Sequence, residues 1–335
     1  MLLVNLNQDK NTKNHYFSNT LLSQLEKNFK NNQKSIVYIN KRWEFSTMIC
    51  ESCQNIVGCE QCDVSMNVHL YPEKLMCHVC NNTKNIPQKC EKCGSKHLKK
   101  VWIGTQQVEN FLKNYFSQEN INIFRFDTDV IKNKTQKAWA LEELKKADII
   151  IGTKMITTGF DFQNVWLVAV MVLEQELLIP WYNTQEKLYQ NIKQLLWRWG
   201  RNGQHTEFII QTFVPENEIV SAITQKNYKE FFIQTLEERK MFHYPPFCEM
   251  VTLEYRHKLE TKSKEFLQKL KIKLDEINQN QYENSFEILM TPSWFKKHNQ
   301  YFFKIIIKGN NIRNFLKNIE KQIIWNSQLS VIFEQ

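Results

Sequence analysis

Residues 50 to 93 read CESCQNIVGCEQCDVSMNVHLYPEKLMCHVCNNTKNIPQKCEKC and hold eight of the nine cysteines of this 335-residue chain, arranged as four CxxC pairs. In a CxxC turn two sulfurs face one cation, and two such turns complete a tetrahedral thiolate shell of the kind that suits Zn²⁺. Eight cysteines therefore predict two closed structural sites, with no position left for a catalytic water. Fourteen residues separate Cys62 from Cys77, a ribbon loop that joins Cys59/Cys62 to Cys77/Cys80 and leaves Cys50/Cys53 and Cys90/Cys93 to close the second site. Spacing alone leaves a sequential or crossed pairing open. A segment this short and polar lacks a core of its own, and structural zinc supplies on the order of 10 kcal/mol to such modules. His69 and His78 lie inside the segment and read as surface or packing residues, because the cysteines already fill both shells. Cys248, beside Pro245, Pro246 and Phe247, reads as a buried small hydrophobe.

Metal rather than disulfide follows from the compartment the sequence suggests. The opening MLLVNLNQDK has only a short apolar patch, and no run fits a signal core or a membrane span, so a cytoplasmic location and no membrane partner are expected. Thiols there stay reduced. The composition, 42% hydrophobic and 24% charged, is that of a globular protein of two or three domains. Of the net charge of +9, residues 251 to 335 supply 14 Lys+Arg against 9 Asp+Glu, a surplus of 5 that tilts this region towards polyanions.

Around the cysteines the pattern alternates. SIVYIN (35–40), NIFRFD (122–127), ADIIIGT (147–153), VWLVAVMVL (165–173) and TEFIIQTF (206–213) are short apolar runs of buried-strand type. Helical patterns cover 105–116, 135–147 and 183–199, so a parallel, doubly wound α/β sheet is expected, with the cysteine segment inserted after its first strand. The tail reads as VTLEYR, a Lys-rich helix (261–279), SFEILM, YFFKIIIKG, a helix (311–325) and LSVIFE. That β-α-β-β-α-β order is the ferredoxin-like one, with a boundary near YPPF (244–247). The expected division is 1–48 and 96–243 for the α/β domain, 49–95 for the two-zinc module and 244–335 for the α+β domain.

GTKMITTGFDF (152–162) follows a strand, where α/β proteins place functional loops, and QLLWRWGRNG (194–203) puts Arg198 and Arg201 at a spacing that shares one helix face. With INKRW, the four CxxC pairs, RFDTD, IPWYNTQEKLYQ, YPPF and TPSWF…YFFKIII, in this order along nearly the whole chain, the sequence resembles the primosomal protein N′ (PriA) family of replication-restart DNA helicases. The resemblance implies the second RecA-like helicase lobe, its inserted two-zinc module and the C-terminal domain. It also implies that Cys50, Cys53, Cys90 and Cys93 share one zinc and Cys59, Cys62, Cys77 and Cys80 the other. By the same resemblance Gly152, Thr153, Gly159 and Asp161 match the fifth helicase motif. Gln194, Arg198 and Arg201 match the sixth, whose arginine faces the γ-phosphate of ATP. Arg125 and Asp127 match an RxD stretch to which no role is assigned.

A helicase of this kind also needs a GxxxxGK[ST] loop and an acidic pair for Mg²⁺. No stretch of the 335 residues fits the loop, and the sole Asp-Glu pair, Asp275-Glu276, lies in the Lys-rich helix. ATP and Mg²⁺ are therefore expected only if a first lobe is supplied. The motifs also depart from the family's. Leu196, Trp197 and Trp199 replace the small residues of QVAGRAGR, Thr158 stands for a lysine and Trp43 for a glycine; core packing is the expectation for both tryptophans of the helix, with a new packing or stacking role beside Arg198 as the alternative. The leading expectation is a truncated replication-restart protein that binds forked or single-stranded DNA, with Lys296, Lys297, His298, Trp294 and Phe295 as candidate contacts. Its partners would be primosomal proteins, the replicative helicase or its loader, and single-strand binding protein. The alternatives are half of a split 3′-to-5′ ATP-dependent DNA helicase completed by a first-lobe polypeptide, or a decayed fragment.

Overall fold

The computed structural model describes residues 1–9, 11–39, 47–53, 55–61, 65–70, 73–77, 82–101, 103–127, 134–157, 164–177, 181–199, 206–225, 227–291, 296–297, 300–320 and 327–334. They form two compact units. One holds Met1–Val57, Pro87–Ile179 and Asn183–Phe231; the other holds Gly58–Ile86, Pro180–Tyr182 and Phe232–Gln335.

The first unit is built on a parallel sheet of β1 (Leu2–Asn5), β2 (Lys34–Tyr38), β8 (Ile123–Phe126), β9 (Ile149–Gly152), β10 (Val165–Val170) and β11 (Glu207–Thr212), in the order β1-β11-β10-β2-β9-β8. Between β2 and β8 come β3 (Thr47–Cys50), β4 (Asn67–Leu70), β5 (Glu73–Met76), β6 (Thr83–Lys84) and β7 (Leu98–Val101). Both faces of the large sheet are covered, which is why its strands are apolar at consecutive positions. Alternate residues separate cleanly into two cores. Val37, Ile151, Leu167 and Ile209 pack under α1 (Asn19–Lys30) and α2 (Thr105–Tyr115). Ile36, Ile150, Val168 and Ile210 pack under α3 (Lys134–Lys146), α5 (Thr184–Trp199) and α6 (Glu218–Gln225), with the short α4 (Glu174–Leu177) between β10 and α5. Each such side chain contributes about 1.5–3 kcal/mol by leaving water. The five expected strands and three expected helices all form, and β1, α1, α6 and α7 (Tyr228–Met241) are additional. α1 begins where the Ser18 hydroxyl accepts the Leu21 N–H at 2.9 Å, and it buries Leu21, Leu22 and Leu25.

In the second unit, β4, β5 and β6 make a three-stranded antiparallel sheet, and β12 (Glu249–His257), β13 (Glu287–Thr291), β15 (Gln300–Gly309) and β16 (Leu329–Glu334) make a larger one. The two-residue β14 (Lys296–Lys297) pairs with β15. With α8 (Glu260–Tyr282) and α9 (Ile312–Ile319), the tail follows β-α-β-β-α-β, and its strands lie in the order β13-β15-β12-β16. One face packs Val251, Leu253, Ile305 and Ile307 against the stripe Leu267, Leu270, Leu274 and Ile277 of α8. α8 ends as the chain turns left-handed at Glu283 (φ 50°), and the Asn278 amide, donating to Phe286 O at 2.7 Å, fastens it to the next strand. Among the described residues no helix is long and apolar enough to cross a membrane.

Candidate metal centre

Two cysteine turns meet at the end of a hairpin. β3 runs into the first, Cys50 to Cys53; the second, Cys90 to Cys93, leads into β7, which pairs with β3 so that Cys50 opposes Leu98. Both turns close by the same backbone bond. Cys50 N–H donates to Asn55 O at 2.9 Å, and Cys90 N–H donates to Ser95 O at 2.7 Å, in each case five residues on. Gly94 takes φ +73°, a left-handed conformation that glycine adopts without steric cost, so that the second turn can close. The hydroxyls of Ser52 and Ser95 bond to each other at 2.7 Å across the two turns, a contact that spacing arguments did not reveal. Ile49 anchors the hairpin in the first core, while Lys99 pairs with Glu51 at 3.0 Å and stands 3.5 Å over the Phe213 ring.

The outcome is a cluster of four sulfurs, Cys50, Cys53, Cys90 and Cys93, all within 4.8 Å of one another. Cys50 Sγ lies 3.6 Å from Cys93 Sγ, and Cys53 Sγ 3.5 Å from Cys90 Sγ. A tetrahedral zinc with bonds of about 2.3 Å sets its sulfurs about 3.8 Å apart, so the described positions fit the ion with little adjustment. Burial pushes the Cys50 thiol up, but the backbone N–H groups of Cys53 and Ser52 and the neighbouring sulfurs outweigh it and bring the pKa down to about 6. Burial and the sulfurs of Cys93, Cys90 and Cys50 push Cys53 up to about 12 against the Asn55 backbone. Four thiolates this close repel, and a dication is what lets all of them stay ionised. Cys50 and Cys90 are buried, Cys53 is half-buried and Cys93 is exposed.

The inner pairs are described in part. Cys59 and Cys77 are both buried, while Cys62 and Cys80 lie outside the described residues. Cys77 N–H donates to Asn82 O at 2.8 Å, again five residues on, so the third pair opens with the same turn signature as the first and fourth. His69 falls on β4, and His78 lies outside the described residues. Cys248 departs from expectation. It is half-exposed rather than buried, its thiol donating to His243 O at 2.9 Å, and the Pro246 and Phe247 that precede it are exposed.

Of the residues matched to helicase motifs by resemblance, Gly152 and Thr153 lie at the carboxyl edge of the parallel sheet, and Gln194 and Arg198 on α5. Gly152 ends β9, and a Cβ there would meet Ile156 Cδ1 at 2.1 Å and Phe126 O at 2.9 Å; the 3₁₀ turn Lys154–Thr157 packs directly on it. Thr153 follows, half-buried; Gly159, Asp161 and Arg201 lie outside the described residues. Gln194 is exposed on α5, and the Arg198 guanidinium lies 5.9 Å from the Trp199 ring. The two tryptophans part company. Trp199 is 7% exposed and in the core, as expected, whereas Trp197 is 63% exposed, which corrects the expectation that both are buried. The stripe Leu188, Ile192, Leu195 and Trp199 carries the helical period, and Trp197 falls out of phase with it. The RxD stretch has a bracing role. Asp127 is fully buried and accepts from Thr105 Oγ1 at 2.7 Å, and Arg125 pairs with Glu109 at 3.1 Å, tying β8 to α2.

A buried acid at this edge escaped sequence reasoning. Glu174 Oε1 accepts from the Thr212 hydroxyl and the Phe213 N–H, and from the Val214 N–H at 2.9 Å. Its burial raises the carboxyl pKa even against these donors. Glu176 accepts from Tyr38 Oη at 2.9 Å and from Asn191 Nδ2 at 3.0 Å, so β2, β10, β11 and α5 are stitched together by two carboxylates. Asp275, by contrast, serves an ordinary i,i+4 pair with Lys271 at 2.5 Å. Lys296 and Lys297 form β14, whereas Trp294, Phe295 and His298 lie outside the described residues.

Comparison with known proteins bears on the inner cysteine pairs, which the four clustered sulfurs flank. Residues 59–84 match the model of the PriA DNA helicase Cys-rich region (CRR) domain. The Replication restart protein PriA of Bacillus subtilis (strain 168) is 30% identical over 256 residues, covering 76% of this chain and 32% of the relative. This chain belongs to the PriA family. PriA of Chlamydia trachomatis is 27% identical over 325 residues (96% of this chain, 42% of the relative), and PriA of Thermotoga maritima 27% over 311 residues (92% and 40%). The chain thus spans about a third to under half of the PriA relatives it matches, consistent with their C-terminal portion.

Proposed function

We propose that this chain acts in replication restart as a PriA-type, zinc-stabilised DNA-binding segment. The observation that carries the reading is the four-sulfur cluster, which draws together two CxxC pairs 40 residues apart on either side of the stretch that matches the PriA cysteine-rich region. One zinc is held by Cys50, Cys53, Cys90 and Cys93, and a second by Cys59, Cys62, Cys77 and Cys80. The metal's contribution is structural: it cross-links backbone that has little core of its own. Residues 1–48 and 96–243 are read as a RecA-like second lobe, 49–95 as the two-zinc module and 244–335 as a ferredoxin-like domain. The parallel sheet order and the β-α-β-β-α-β tail support that division. The DNA is forked or single-stranded and is met by basic surfaces that include Lys296 and Lys297. Primosomal proteins, the replicative helicase or loader and single-strand binding protein are the partner class, and the compartment is the cytoplasm.

The test pairs two measurements on the purified, reduced chain. Elemental analysis is expected to give two zinc per chain. Affinity for a forked oligonucleotide is expected to fall steeply with salt as phosphate contacts release counterions. A metal-free, folded chain, or binding that stays flat from low to high salt, overturns the reading.

The exposure of Gln194 beside Arg198 on α5 supports a second reading, in which these residues and Arg201 complete the ATP cleft of a 3′-to-5′ helicase. Gly152, Thr153, Gly159 and Asp161 then couple nucleotide to DNA. Phosphate loop, acidic pair and Mg²⁺ site have to come from outside these 335 residues. Absence of stimulated ATP hydrolysis when this chain is mixed with a first-lobe polypeptide and forked DNA removes it.

A further inference from the structure

One row of α5, flanking its core-facing stripe, has a composition of its own, and its first member, Tyr189, is partly buried against the second core. Tyr189, Lys193 and Trp197 recur at every fourth residue, drifting about 40° per step, and so form one inclined row. Tyr189 and Trp197 stand about 12 Å apart along the axis, with Lys193 about midway at 1.5 Å per residue. At one end of the row the Tyr189 ring packs against Tyr228 of α7, with centroids 4.8 Å apart and planes inclined by 34°, and against Phe231 at 6.0 Å. Lys193 Nζ lies 5.2 Å from the Tyr189 centroid and donates to Ile223 O at 3.2 Å, which holds the ammonium close to the helix surface. At the other end stands Trp197, 63% exposed; Tyr228 is 44% exposed.

Single exposed apolar residues are ordinary, but aromatic rings interleaved with a cation form a patterned surface. α5 also carries Lys187 and Arg198 against one acid, Glu186, so the helix has positive charge to offer. The exposed carboxamides of Gln190 and Gln194 lie in the next row. A purely apolar partner would bury the exposed Gln190 and Gln194 carboxamides without complement and strip water from the Lys193 charge, whereas a polyanion with flat aromatic bases suits the amides, the charge and the rings.

The geometry points to α5 and the start of α7 as a contact strip for single-stranded nucleic acid, with Trp197 and the Tyr189–Tyr228 pair as two stacking platforms and Lys193 meeting the phosphates between them. A span of about 12 Å corresponds to three or four rises of about 3.4 Å per nucleotide, so the platforms take bases a few nucleotides apart. Stacking requires bases whose faces are open, which selects single strands over duplex. This inference rests on the nucleic-acid-binding reading above and assigns part of that binding to a helix not among the contacts foreseen from sequence.

The zinc-loaded full chain and its Trp197→Ala, Trp197→Phe and Lys193→Gln variants would be titrated against labelled oligothymidine at three salt concentrations by fluorescence anisotropy. Trp197→Ala is expected to weaken binding by about 5- to 150-fold, the range for one base-aromatic stack, with the salt slope unchanged. Trp197→Phe, which keeps a ring, is expected to recover most of that loss. Lys193→Gln is expected to lower the slope of log affinity against log salt by about 1. Wild-type binding matched by equally tight binding of Trp197→Ala overturns this inference and leaves the nucleic-acid reading standing; failure of the wild type to bind any oligonucleotide overturns both.

Discussion

The cysteine turns and the parallel sheet share one compact unit and reach rigidity by opposite means. Around Cys50 and Cys90 there is little apolar mass, and the geometry depends on four sulfurs, two repeated backbone bonds and one serine pair. In the sheet, rigidity comes from two apolar layers, with buried polar groups at its edges, among them Glu174 and Glu176 at the carboxyl edge, where they join neighbouring elements. The first design concentrates its stability in a few replaceable atoms. The second spreads it over dozens of side chains, so it tolerates the loss of any one of them.

The sharpest way to break that contrast is to remove a ligand. Cys90→Ser is expected to cost one zinc equivalent and local free energy on the order of 10 kcal/mol, exposing the amides of β3 and β7 to hydrogen exchange. The amides of β2, β9 and β10 are expected to stay protected. Parallel loss of protection in both regions would show that the turns and the sheet are not separate in the way described. In the other direction, Gly152→Ala presses a methyl group into Ile156 and should lower stability in urea by about 1–3 kcal/mol while zinc content stays constant.

The buried carboxylate gives a pH test of the sheet edge. Because the folded-state pKa of Glu174 is raised above its ordinary 4.5, its contribution is fully present below about pH 4.5 and is lost as pH rises through the folded value. Across that window the urea stability of the wild type is expected to decline relative to Glu174→Gln by up to about 1.4 kcal/mol per pH unit. A constant difference between the two from pH 4 to pH 8 would mean that Glu174 titrates as an exposed acid does. The smallest effect is expected at the α1 cap. Ser18→Ala removes the acceptor for Leu21 N–H and should cost about 1 kcal/mol by urea midpoint, with metal content unchanged.

Much of this was legible in the residues themselves. Four CxxC pairs and runs such as ADIIIGT carry their meaning locally: the first in fixed ligand spacing, the second in apolar residues at every position of a strand covered on both faces. What was not legible depends on neighbours distant in sequence. β1, four residues next to a polar stretch, becomes a strand because β11 supplies its partner from 207 residues away, as in Leu2 opposite Ile209. Glu174 is buried because Thr212, Phe213 and Val214 meet it, and nothing in LEQEL announces them. Trp197 is the instructive intermediate case. The phase of Leu188, Ile192, Leu195 and Trp199 was there to be read, and it separates the two tryptophans where residue type alone grouped them.

The uneven burial of the four clustered sulfurs has a kinetic corollary. With Cys50 and Cys90 enclosed and Cys93 facing solvent, a competing chelator or thiol reagent meets the shell one ligand at a time, and it meets Cys93 first. The lifetime of a bound ion is therefore governed by how often a single surface thiolate lets go, however tightly the complete set of four holds at equilibrium.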